Sequence, residues 1–68
     1  MAAVKIIEVL GISDKSWHKA AEEALEEAKK TVRNITGLEV IAHTAKVKDG
    51  EIVEYHTNCK IAFRVGDK

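Results

Sequence analysis

The stretch GLEVIAHTAKVKDGEIVEYHTNCKIAFRV, residues 37–65, decides how this chain folds. Its two halves are rich in β-branched and aromatic residues and meet at Asp49-Gly50. An Asp-Gly pair suits the two-residue turn of a β-hairpin, whose central positions take positive φ. The second half alternates with a period of two, the spacing of a strand. Val53, Tyr55, Thr57, Cys59, Ile61, Phe63 and Val65 fall on one face; Ile52, Glu54, His56, Asn58, Lys60, Ala62 and Arg64 fall on the other.

A turn of fixed length sets the register. With Lys48 opposite Glu51 and no interruption, the core face pairs Leu38 with Ile61, Val40 with Cys59, Ala42 with Thr57 and Thr44 with Tyr55. The other face pairs Glu39 with Lys60, Ile41 with Asn58, His43 with His56, Ala45 with Glu54 and Val47 with Ile52. Opposed side chains have Cβ atoms about 5 Å apart. Two imidazoles there either share a metal or an anion, or are two half-exposed histidines with no role.

Working back from the hairpin, VKIIEVLG (residues 4–11) reads as a first strand that ends on a turn residue, Gly11. ISDKS follows with helix-capping chemistry at Ser13 or Ser16. A helix is expected from Trp17 to about Asn34, its apolar stripe made by Trp17, Ala21, Ala24, Ala28, Thr31, Val32 and Ile35. The middle of the stripe is alanine, so its cover can approach closely there, and Trp17 reads as a core anchor. Glu22, Glu23, Glu26, Glu27, Lys29, Lys30 and Arg33 form the solvated face. One helix covers one side of the sheet. Ile41, Ala45, Val47 and Ile52 are then left as contact surface for other subunits.

The chain has 68 residues, read as one domain spanning 1–68. A domain of this size buries only about 60% of the surface its unfolded chain exposes. Cys59 is the only cysteine, so no internal disulfide supports it, and one cysteine with His18, His43 and His56 makes no zinc framework. Oligomerisation is the remaining support. Lysine plus arginine and aspartate plus glutamate count 11 each, so no basic field gathers nucleic acid or anionic lipid. No apolar run approaches the ~20 residues needed to span a bilayer, and MAAVKIIEVLG makes no signal peptide. A soluble cytoplasmic protein is expected. Cys59 shares its face with no histidine, so nucleophilic catalysis finds no support and no enzyme is expected. Asp49, Glu51 and Glu54 could draw a hard cation, although their spacing is not that of a calcium loop.

Taken together, VKIIEVLGISDKSW (4–17), TVRNI (31–35), KDGEIVEY (48–55) and KIAFRV (60–65) resemble the dodecin family over nearly the whole chain. The resemblance implies a β-α-β-β fold of the α+β class, with a three-stranded antiparallel sheet wrapped around one helix. It also implies a hollow homododecamer with its sheets towards the interior. Flavin-binding dodecins hold paired flavins between subunits. A tryptophan at the start of the second strand stacks on the ring, a glutamine on the third strand meets its polar edge, and in bacterial members two arginines also line the site. Those positions fall here on Gly37, His56, Thr44 and Arg64, of which only Arg64 keeps the family residue. With His43 added from the pairing above, Gly37, His43, Thr44, His56 and Arg64 are the expected ligand-binding residues. The resemblance implies a non-enzymatic small-ligand sequestering and storage protein. Its nominal ligand is FMN or riboflavin, weakly held because Gly37 replaces the stacking tryptophan. Coenzyme A or a divalent cation are further ligands of the family. The alternative is a cation-binding or purely structural dodecameric assembly that has lost flavin binding.

Overall fold

The computed structural model describes residues 3–66. Strand β1 (Ala3–Ser13), helix α1 (Trp17–Lys29), and strands β2 (Ile35–Lys48) and β3 (Glu51–Val65) follow in order. The strands form one antiparallel sheet in the order β1-β3-β2, so the last strand lies in the middle. This is the β-α-β-β arrangement expected from the sequence. Asp49 and Gly50 take φ of 54° and 78°, the positive values the tight turn requires.

Ser16 starts the helix: its hydroxyl accepts from the Lys19 N–H at 3.0 Å. The helix stops at Lys29, short of the expected Asn34. The Thr31 and Val32 N–H groups both donate to the Ala28 carbonyl, and Asn34 takes a φ of 63°. A left-handed residue ends helical winding, so Ile35 opens β2 and does not extend the helix stripe. The buried stripe is Ala20, Ala24 and Ala28; Ala24 and Ala28 pack with Cys59 and Ile61 of β3. Ala21 and Val32 are only partly buried.

Gly11 is not a turn residue. It lies within β1, opposite Thr57. A Cβ at Gly11 would fall 1.8 Å from the Ala20 carbonyl oxygen, so the helix backbone rests directly on the strand there. Glycine in a strand interior commonly marks such an approach.

The hairpin register follows the sequence expectation near the turn and near the helix, and departs from it between. Lys48 opposes Glu51, Val47 opposes Ile52, Val40 opposes Cys59, Glu39 opposes Lys60 and Leu38 opposes Ile61. From Ala42 to Lys46 the pairing is offset by one residue: Ala42 opposes Asn58, His43 opposes Thr57, Thr44 opposes His56 and Ala45 opposes Tyr55. Ile41 is the extra residue at one end of this segment, on β2, and Val53 at the other, on β3. The two bulges cancel, which is why the ends remain in register. Since the side-chain period is two, a one-residue offset exchanges faces. His43 and Ala45 therefore sit on the helix side, and Ala42 and Thr44 on the outer side. The expected His43–His56 pair does not form.

The chain is longer and more exposed than its mass requires. Its radius of gyration is 13.9 Å, against about 11 Å for a compact domain of this length. It exposes 5056 Å², against about 4,250 Å² for a compact monomer of 7.5 kDa. On the outer side of β1, Val4, Ile6, Leu10 and Ile12 are each about half exposed. Ile41, Val47 and Ile52 are exposed as expected, whereas Ala45 is partly covered.

Candidate functional site

The outer face of the sheet carries four of the five expected ligand-binding residues. Thr44 and His56 are direct cross-strand neighbours, with Ile12 of β1 on the far side of His56. The His56 ring nitrogen Nε2 lies 2.9 Å from Glu54 Oε1, so Glu54 holds the imidazole against the sheet. At the other end, Gly37 opposes Ala62, and Arg64 follows two residues on along β3. Asn58 stands between the two ends, its side-chain amide donating to Glu8 at 2.8 Å. Lys60 is flanked by Glu8 and Glu39 on either strand.

Gly37 has an ordinary negative or extended φ, so the backbone does not demand glycine there. A Cβ would meet only the Ala62 methyl, at 4.0 Å. The missing side chain leaves a shallow hollow of about 210 Å³, lined by Ile6, Gly37, Leu38, Glu39, Lys60 and Ala62. Its floor is apolar and its rim carries one charge of each sign.

The two ends are far apart. His56 and Ala62 are six residues apart on one strand, which is about 20 Å at ~3.4 Å per residue. Gly37 and Arg64 therefore cannot meet a small ligand that also touches the Thr44 and His56 of the same chain.

His43 lies apart from this group, on the helix side. Its ring is 5.7 Å from that of Trp17, which also packs edge-on against Tyr55 at 4.8 Å. The Trp17 indole N–H donates to the Thr44 carbonyl at 2.8 Å, and the Trp17 carbonyl accepts from the buried Thr57 hydroxyl at 2.8 Å. Trp17 thus pins the start of α1 to both β2 and β3. Cys59 is buried, and burial pushes its thiol up. The sequence expectation that no histidine shares the Cys59 side does not hold, because the offset brings His43 to that side; Cys59 itself is fully buried. Asp49, Glu51 and Glu54 do not converge: among the described residues no group of three or more His, Cys, Asp or Glu side chains could hold a metal. Among those residues, no helix is long and apolar enough to cross a membrane.

The family model described as Dodecin matches residues 3–66. The chain belongs to the dodecin family. It is 29% identical over 65 residues to the calcium dodecin of Mycobacterium tuberculosis, covering 96% of this chain and 92% of that one. Among solved structures, a Thermus thermophilus protein superposes with a TM-score of 0.93 at 25% identity, covering the whole of both chains. The crystal structure of the Mycobacterium tuberculosis calcium dodecin, described as a calcium-chelating antigen with a novel calcium-binding site, gives a TM-score of 0.80. Its identity is 32%, covering 90% of this chain and 87% of that one.

Two features of the outer face differ from the sequence expectation. The Ile41 bulge had a signal, because Val40-Ile41-Ala42 breaks the apolar–polar alternation of β2. Glu54 was weighed as part of a turn cluster, but its partner is His56, two residues on along the same face.

Proposed function

We propose that this chain is a small-ligand sequestering protein of the dodecin type, acting by binding and release without bond-making chemistry, and that its site exists only between copies. The observation that carries this reading is the separation along β3. Thr44 with His56, and Gly37 with Arg64, share one face but lie about 20 Å apart. A second copy that brings its Gly37 end against the His56 end of the first completes one site from two chains. The half-exposed apolar residues of β1 give such an assembly its driving force. The homododecamer implied by the family is the assembly we assign.

Flavin is the nominal ligand, held weakly. His56 offers a donor or acceptor to a polar edge, Thr44 a hydroxyl and Arg64 a cation. Gly37 offers no ring. Aromatic stacking is worth about 0.5–1.5 kcal/mol beyond the area it buries. Its loss together with that burial weakens binding by roughly ten- to several hundredfold. Titration of riboflavin with the protein tests the reading: quenching of flavin fluorescence at micromolar protein supports it. Native mass spectrometry that finds only single chains, with no quenching, ends it.

The second reading is a cation-binding assembly, favoured by the likeness to a calcium dodecin. A cation here would draw donors from more than one copy. Calcium-dependent melting without flavin quenching selects this reading over the first.

A further inference from the structure

The segment Ala42–Lys46 has two registers open to it. The bulges at Ile41 and Val53 bracket it and cancel. Removing both would leave the turn and the Leu38–Val40 pairing as they are, and would shift only this segment by one residue. In the shifted register His43 opposes His56 on the outer face, and Thr44 turns to the helix side. In the observed register Thr44 opposes His56.

What separates the two is Trp17. Its indole N–H donates to the Thr44 carbonyl at 2.8 Å, and its ring lies 5.7 Å from that of His43. Both contacts belong to the offset register. A one-residue slip carries the His43 ring to the other side of the sheet and moves the Thr44 carbonyl off the indole. Trp17 is itself fixed independently of this segment, because the Thr57 hydroxyl donates to its carbonyl and Tyr55 packs on its ring edge. It is therefore a rigid reference against which β2 is set.

We propose that Trp17 is a positioning residue that selects the offset register of Ala42–Lys46, and so places Thr44, and not His43, beside His56 on the outer face. What this means for a ligand rests on the proposed function; the choice of register does not. The consequence is that a residue on the helix side determines the chemistry of the opposite face.

The test is Trp17→Phe, which keeps a ring against Tyr55 and removes the N–H. Nickel(II) is the probe, since two opposed histidines chelate it and a threonine beside a histidine does not. Trp17→Phe is expected to bind nickel at least about tenfold more tightly than the wild type. The gain should vanish when His43→Ala or His56→Ala is added. No gain, or a gain that survives His43→Ala, overturns the proposal. So does wild-type nickel binding that requires both histidines. Should Trp17→Phe fail to fold, benzothienylalanine at position 17 has the indole shape without the N–H, and its result is read in the same way. Riboflavin quenching is measured alongside. A nickel gain with no quenching in either protein leaves register selection standing and removes only the flavin reading.

Discussion

The two sides of β3 are built to different standards. Towards α1, Thr57, Cys59, Ile61 and Phe63 are buried, and the one polar group among them has its partner in the Trp17 carbonyl. Towards the outer side, His56, Asn58 and Ala62 are only partly covered, and Lys60 and Arg64 are exposed. Around Glu8, the flanking β1 residues on that side, Val4, Ile6, Leu10 and Ile12, are apolar and about half exposed. One face is finished within the chain; the other is left for something outside it. A core whose buried hydrophobics include three alanines cannot compensate for an unburied sheet face, which makes assembly part of the folding problem.

The hardest way to break this contrast is at Gly11 on the finished side. Gly11→Val drives a branched side chain into the Ala20 carbonyl. A loss of about 3 kcal/mol is expected, at the upper end of overpacking costs, and circular dichroism on heating should show a melting point lower by ~12–24 °C. On the unfinished side, Gly37→Trp should leave the fold intact, because a Cβ there meets only the Ala62 methyl. It should tighten riboflavin binding by roughly ten- to several hundredfold. Unchanged quenching with the assembly intact would show that the site has been lost beyond this one position. Thr57→Val removes the hydroxyl that reaches the Trp17 carbonyl; about 1 kcal/mol and a ~4–8 °C lower melting point are expected, with subunit count unchanged.

The smallest effect lies on the solvated helix face. The Lys19 charge, helped by His18, holds the Glu22 carboxyl below its usual range. The folded state therefore binds that proton less readily than the unfolded one. The resulting stabilisation is present at neutral pH and is lost as pH falls through the folded value. Glu22 is exposed, so screening keeps it small. Melting of Glu22→Gln against the wild type should differ slightly at neutral pH, and the difference should shrink in acid as the Glu22 carboxylate takes up its proton.

How far the sequence could be read follows the reach of each local signal. Asp49-Gly50 fixed the hairpin, and the period of two in residues 51–65 fixed which side of β3 meets the helix. A turn carries register only as far as the first bulge, so the faces of His43 and Thr44 were out of its reach. What holds them is Trp17, 27 residues away in sequence from Thr44, and no local pattern records such a contact. Gly11 was misread for a related reason. Its need for glycine arises from Ala20, on a different element, and not from its own backbone. The family resemblance carried the fold, and it pointed to Thr44 and His56 as expected ligand-binding positions without showing that they are neighbours.

Strand order has a consequence for how the molecule is made. β3 is synthesised last yet joins the other two strands, with Ala3 pairing to Val65 at the far end. A nascent chain that has delivered β1, α1 and β2 still has no sheet, since those two strands never touch. Closure must wait for residues 51–65 to clear the ribosome. A polypeptide that lacked the end of that segment would leave the start of β1, from Ala3 onward, without its hydrogen-bonding partners.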